Sequence, residues 1–329
     1  MTETVTKAPS GAPGGPPAGA PRAGRPSPGR PRRRNGPHPL TPLLWIGPAL
    51  LLIVGVVLWP VLEMALTSLR EISRAGVVKG WAGLANYQAL FDEPDLVSVL
   101  VRTVFWVVGV VAVTVFISLG LAQLLNARFP GRRLVRWALI VPWAASVVMT
   151  AIVWRWILDF FHGMANRVLM DLGLIDAPRD WLGEPGLAWL WLMWVAVFVS
   201  IPFTTYVILA GLQTIPGDIY EAAQVDGASR WRTYRSIVLP LLKPAVLVAT
   251  VINVINVFNS FPIIWAMTRG GPGHDTDTTT TFMFKLLRLD KEVGQSAAMA
   301  VLNFVMIMVM VLFYLRAAKW QRDPASGTE

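Results

Sequence analysis

Glu221 to Pro244 reads EAAQVDGASRWRTYRSIVLPLLKP, an island of charged and small residues between two long apolar segments. Pro216 suits the first turn of a helix over Gly217 to Gln224, and Asp218 falls where a helix N-terminus favours negative charge. Gly227 predicts the stop of that helix, because glycine adopts the positive φ that a helix end often needs. Ser229 can then cap a second helix that runs through Trp231, Tyr234 and Val238 towards Pro240. The local chemistry therefore specifies two short helices at an angle. Ala222 and Ala223 keep one face of the first thin enough to enter a groove, and Glu221 offers a charge to pair there.

Outward from this island the chain is strongly apolar. Of its 329 residues 54% are hydrophobic and 15% charged, and the mean hydropathy of +0.52 fits a polytopic membrane protein rather than a soluble domain. Cysteine is absent, which excludes disulfides and thiol-held metals. Residues 1 to 42 are Pro-, Gly-, Ala- and Arg-rich, too poor in bulky apolar side chains to form a core. They predict a disordered, basic, cytoplasmic tail. Arg32-Arg33-Arg34 precedes an apolar segment without a small-residue cleavage site, so an uncleaved anchor is expected there. The net charge of +9 is no nucleic-acid signature, because much of it lies in that tail and at the expected cytoplasmic ends of spans.

Six stretches are long enough to cross ~30 Å of hydrocarbon as helices: Leu43 to Leu62, Thr103 to Leu125, Leu134 to Leu158, Leu187 to Gly211, Pro244 to Met267, and Ala297 to Leu315. Lys and Arg concentrate in the tail, at Arg128, Arg132, Arg133 and Arg136, at Arg230, Arg232, Arg235 and Lys243, and at Arg316, Lys319 and Arg322. That bias puts both termini and the 216–244 loop in the cytoplasm. Trp45, Trp59, Trp106, Trp154, Trp156, Trp265 and Trp320 fall near span ends, where aromatic anchors are expected. Arg155 and Asp159 are one helical turn apart and spaced to pair.

The quoted stretch resembles a known family at Glu221-Ala222-Ala223, Asp226-Gly227-Ala228, Ile237, Leu239-Pro240 and Pro244. It is similar to the EAA loop of ABC importer permeases and departs only at Tyr234, where phenylalanine is commoner. Gly83-Leu84-Ala85-Asn86-Tyr87 and Thr268-Arg269-Gly270-Gly271-Pro272 resemble segments of the maltose-permease-like carbohydrate group. The resemblance implies an all-α fold with six transmembrane helices over residues 43–318, a cytoplasmic coupling helix within 216–244, and a short tail at 319–329. It implies a bacterial plasma membrane location and a coupling contact through Glu221, Ala222, Ala223, Asp226, Gly227 and Ala228. The implied partners are a second homologous permease, two ATPase subunits carrying ATP and Mg, an extracytoplasmic substrate-binding protein and membrane lipid. No cofactor is expected on this chain itself, which lacks the phosphate-cradling G-x-x-x-x-G-K-[ST] loop. It is read as a transport subunit rather than an enzyme, since no carboxylate pair, His cluster or Ser-His set shares a membrane depth.

Inside the fifth stretch lie Asn253, Asn256, Asn259 and Ser260, whose polar groups lipid cannot satisfy. Asn253, Asn256 and Ser260 share a helical face, and Phe258 and Phe261 lie beside it. Two roles are open for this stripe, hydrogen-bonded glue between helices or the lining of a solute path. As a path, amides and flat rings suit a sugar or related polyol, with a glycerophospho compound also open. His274-Asp275-x-Asp277 is read as solvated turn residues rather than a metal site. The alternative is an ion-coupled secondary transporter of a small polar solute, which predicts an acid, histidine or broken helix near mid-membrane.

Overall fold

A computed structural model describes residues 41–320. The predicted tail lies outside the described residues except for Thr41 and Pro42, as do residues 321–329. The chain divides into two units, one ending at Val54 and one starting at Gly55. In the described part of the first, α1 (Thr41–Leu52) leads into a π-helical turn that begins at Ile53. Ile46, Leu50, Leu51 and Leu52 are exposed, as befits a lipid-facing helix.

The second unit continues with α2 (Trp59–Thr67), a two-stranded antiparallel hairpin of β1 (Arg70–Ile72) and β2 (Val78–Trp81), and α3 (Ala85–Phe91). Then come α4 (Leu96–Asn126), α5 (Arg132–Ala144), α6 (Val147–Ile157), α7 (Met164–Asp171) and α8 (Pro185–Gln213). The last part is α9 (Gly217–Val225), α10 (Arg230–Thr233), α11 (Leu239–Leu241), α12 (Lys243–Phe258), α13 (Phe261–Met267), α14 (Thr279–Arg288) and α15 (Val293–Trp320). The described chain is therefore almost wholly helical, as expected. Among the described residues four helices are long and apolar enough to cross a membrane: Ile46–Thr67, Leu96–Asn126, Pro185–Gln213 and Val293–Ala318.

Two of the six expected spans are not single helices. Leu134 to Leu158 is interrupted at Ala145–Ser146, after α5 has run through Pro142 to Ala144. Pro244 to Met267 is interrupted at Asn259–Ser260, because the Pro262 ring would collide with the carbonyl of Phe258. Pro244 acts likewise on Pro240, and the arm Arg230–Leu241 meets Lys243–Phe258 at 65°.

In lipid, association of spans rests on close packing and hydrogen bonds rather than on water exclusion. The principal core is built from Trp106, Val110, Leu192, Val195, Phe258 and Ile264. A second cluster joins α4, α8, α12 and the segment before α12 through Leu125, Ile208, Leu212, Val238, Leu242 and Ala249. There α8 and α12 approach so closely that a Cβ on Gly211 would stand 2.5 Å from that of Ala245. A third, of Leu90, Leu96, Phe282 and Met299, ties α3, α4, α14 and α15.

Several expected surface features are internal. Trp106 is no interfacial anchor: it is buried and donates from Nε1 to Val257 O and to Ser260 Oγ. Trp59 and Trp156 are exposed as expected, whereas Trp154 packs against Trp191 and Phe198. Arg155 does not pair with Asp159. It donates to Ala266 O, while Asp159 accepts from the amides of Phe161 and His162. The 83–87 segment turns at Gly83 (φ +57°), and Asn86 Nδ2 ties the hairpin down by donating to Ser68 O and Arg70 O.

The segment His274 to Asp277 also differs from expectation. Asp277 is fully buried rather than solvated, with Oδ2 2.6 Å from Lys285 Nζ and 2.7 Å from His274 Nδ1. Arg102 of α4 holds the His274 carbonyl, Trp189 of α8 holds that of Asp275, and Gly270 (φ +79°) sits against the Asp277 carboxylate, where a side chain would collide. Three helices thus converge on this loop.

Candidate functional site

The 216–244 loop folds as its local chemistry dictates. Pro216 is extended (ψ 145°), and α9 follows with Asp218 in its first turn. At the other end Gly227 takes φ +70°. The amide of Ala228 reaches Ala223 O at 2.9 Å and that of Gly227 reaches Gln224 O at 3.0 Å, the paired bonds that satisfy the last carbonyls of a glycine-stopped helix. Ser229 Oγ then accepts from the Arg232 amide and starts α10. This geometry presents Glu221, Ala222 and Asp226 to the outside. Ala223 is instead turned inward and buried, so only one of the two alanines thins the outer face, and Ala228 is half-buried.

Sequence reasoning missed Val225 and Trp231 as exposed apolar positions of this loop, 88% and 69% exposed. Val225 sits four residues from Glu221 on the same helical face. On the inner side, Tyr220 and Tyr234 pack into the cluster shared by α4, α8 and α12. Burial pushes the Tyr220 phenol above its usual pKa, so it stays a neutral hydroxyl. A small recess of about 150 Å³ at this junction is lined by Gln123 of α4 together with Tyr220, Gln224 and Arg230.

The polar stripe of the fifth stretch lies where the helix breaks. A cavity of about 400 Å³ is bounded by Trp143, Val147, Ala196, Val199, Ser200, Phe203, Asn253, Asn256, Val257, Asn259, Ser260, Pro262 and Ile263. No lining residue is ionisable. The four polar residues divide by role. Asn253 is buried and donates to Thr204 Oγ1 at 2.6 Å and to Ala249 O at 3.1 Å. Ser260 is buried and holds Trp106 Nε1 at 2.8 Å. Both are helix-to-helix glue that also borders the cavity. Asn256 and Asn259 are exposed to it, Asn259 donating only to Ile255 O, and Asn256 forming no hydrogen bond among the described residues.

Phe258 does not reach this space. It lies in the principal core, 1% exposed, because its helical position points away from Asn256. Phe261 stacks on Trp265 and Phe284 instead. The flat surfaces facing the cavity are Trp143 and Phe203, from elements that no local pattern links to α12. A larger groove of about 750 Å³ lies between α4, α12 and α15, yet it is lined by valine, alanine and other apolar residues with only Thr250 and Tyr314 polar. It offers almost nothing to hold a hydroxyl-rich solute.

Residues 114–322 match the family model described as binding-protein-dependent transport system inner membrane component. The chain is 42% identical to a probable ABC transporter permease protein of Brucella suis biovar 1 over 276 residues, 84% of this chain and 95% of that protein. It is 34% identical to the trehalose/maltose transport system permease protein MalF of Thermococcus litoralis, covering 85% and 94%. It is 33% identical to the sulfoquinovosyl glycerol transport system permease protein SmoG of Agrobacterium fabrum, covering 84% and 90%. Its fold is similar to the crystal structure of a bacterial ABC transporter involved in the import of the acidic polysaccharide alginate, with a TM-score of 0.74 and 22% identity over 84% of this chain and 95% of that one. Apolar helices, the glycine-stopped loop and this agreement over most of the chain lead to one conclusion: the protein belongs to the family of binding-protein-dependent transport system inner membrane components, as a multi-pass permease subunit of an ABC transporter.

Proposed function

We propose that this permease imports a neutral sugar or related polyol, and that the cavity at the α12–α13 break is part of its path. The observation that carries the reading is the lining: exposed amides at Asn256 and Asn259, rings at Trp143 and Phe203, and no ionisable side chain. Amides pair with hydroxyls, and ring faces suit the C–H surface of a sugar. A phosphate or carboxylate entering the same space would be desolvated without a countercharge, which favours a neutral glycoside over a glycerophospho compound. Relatives named for trehalose/maltose and diacetylchitobiose support a neutral saccharide, whereas one named for sulfoquinovosyl glycerol, which carries a sulfonate, supports only the broader glycoside class.

Six crossings are reached by adding the interrupted pairs α5–α6 and α12–α13 to the four long helices. The Lys and Arg bias supports both termini and α9 on the cytoplasmic side. On this reading α9 is the coupling helix, with Glu221, Ala222, Asp226 and Gly227 at the ATPase groove and Val225 as an apolar contact. Partners are two ATPase subunits that hold ATP and Mg, a second permease and an external binding protein. A broken helix beside a cavity is also a mark of secondary transporters. Family membership and the absence of an acid along the break argue for ATP-driven transport.

The test is a thermal-shift panel on the cognate binding protein, followed by uptake in the reconstituted complex. Neutral mono-, di- and oligosaccharides are set against glycerophospho compounds. A neutral saccharide that both shifts the binding protein and is taken up supports the proposal. A response confined to charged compounds overturns it.

A further inference from the structure

The interruption between α5 and α6 opens a space of its own beside the one at the α12–α13 break. The chain leaves α5 at Ala144, and Ser146 is extended (ψ 139°), so α6 starts afresh at Val147 with the Thr150 amide bonded to Ser146 O. Beside the missing turn lies a recess of about 60 Å³, lined by Trp143, Ala145, Val147, Thr150, Phe198 and Val199. Trp143, Val147 and Val199 also border the 400 Å³ cavity. The recess and the cavity therefore share a wall.

Their chemistry differs. No amide or ionisable side chain lines the recess, and Thr150 supplies its one side-chain hydroxyl. A helical threonine often turns that hydroxyl back onto the carbonyl four residues earlier, as Thr103 and Thr204 do in this chain. Thr150 is half-buried and makes no side-chain hydrogen bond among the described residues, so its hydroxyl is left for something that enters. Phe198 is held edge-on against Trp154, with ring centroids 6.0 Å apart, which fixes one wall. At roughly 30 Å³ for a water-sized group, the recess takes about two of them. A sugar ring is too large, whereas one carbon bearing one oxygen fits.

We infer that this recess is a specificity subsite for an exocyclic hydroxymethyl group, with the methylene against Phe198 and Val199 and the hydroxyl on Thr150. The imported solute is then a glycoside of a hexose rather than of a pentose. The inference deepens the path proposed above and rests on it: Asn256 and Asn259 hold the ring in the main cavity, and Thr150 reads what the ring carries. A ring without the group leaves the recess unfilled and the Thr150 hydroxyl unpaired.

The test measures binding to the purified complete importer without its binding protein, so that selection by that partner does not enter. Methyl glucopyranoside and methyl xylopyranoside differ only in the hydroxymethyl group, and each is titrated with saturation-transfer NMR as the readout. The glucoside is expected to bind about fivefold more tightly. Thr150→Val keeps the shape without the hydroxyl and should reduce that preference to about twofold. Thr150→Leu fills the recess and should remove it; if this variant fails to assemble, Thr150→Val decides. Equal binding of the two sugars by the unaltered importer overturns the inference, as does a preference that survives substitution. In either case, loss of both sugars in Asn256→Leu leaves the path itself standing. Binding of neither sugar, or undiminished binding by Asn256→Leu, refutes the path and the subsite with it.

Discussion

Lys285 and Asp277 form a buried ion pair 2.6 Å apart that joins α14 to the loop before it. Lys285 Nζ also reaches Gly273 O, and His274 adds a second bond to the same carboxylate oxygen. Since Asp277 is fully buried, removing its partner should cost about 3 to 5 kcal/mol. Lys285→Met is thus expected to lower the unfolding temperature of the purified complex by several degrees. The double variant Lys285→Met with Asp277→Asn should recover much of the loss, because no charge is then left unpaired. A single variant as stable as the parent would show that the pair is dispensable.

The docking loop is tested by Glu221→Lys. If the side chain enters an ATPase groove beside a basic partner, reversing its charge should release the ATPase subunits during purification or uncouple hydrolysis from uptake. Gly227→Val should do the same less severely, because a β-branched residue at φ +70° costs on the order of 1 to 2 kcal/mol and misdirects α10. Normal uptake together with normal ATPase retention in Glu221→Lys would refute the coupling role of α9.

The cavity predicts opposite outcomes for two asparagines three residues apart. Asn256→Leu removes an exposed amide and should reduce uptake at least several-fold while the complex stays assembled. Asn253→Leu removes the bond to Thr204, whose hydroxyl keeps its bond to Ser200 O, and should instead lower stability by about 1 kcal/mol. Uptake and melting measured on both variants separate lining from glue, and identical behaviour would refute the division.

The absence of cysteine makes topology testable on a silent background. Asp275→Cys is exposed in the loop before α14 and should react with an impermeant thiol reagent in intact cells. Val225→Cys, at the most exposed position of α9, should not react until the cells are opened. The reverse pattern would invert the proposed orientation.

What could be read in advance was local. The α9 stop at Gly227 and the cap at Ser229 follow from bonds within five residues, and both formed as expected. Long helices were equally legible from unbroken apolar runs. The interruption at Asn259–Ser260 was signalled by Pro262 but was outweighed by the hydropathy around it, whereas that at Ala145–Ser146 had no such local signal. The division of the polar stripe could not be read at all, because it depends on Trp106 and Thr204, which lie some 150 and 50 positions away. Trp106 itself looked interfacial only because its position along the span was counted from sequence. Asp277 looked like a turn residue because its partner is Lys285, on the next helix, and a lysine amid TTTFMFKLLR was the one available sign of a buried pair.

The break between α12 and α13 also bears on how this permease can change over evolutionary time. One side of the cavity is α12, with Asn253, Asn256 and Val257, and the other is α13, with Pro262 and Ile263; Asn259 and Ser260 are both the joint and part of the lining. On the proposed path, recognition and the helix joint therefore occupy the same few residues. If the cavity is that path, a substitution that fits a new solute also falls on the joint between the two half-helices, so specificity and the angle of the break would be inherited together.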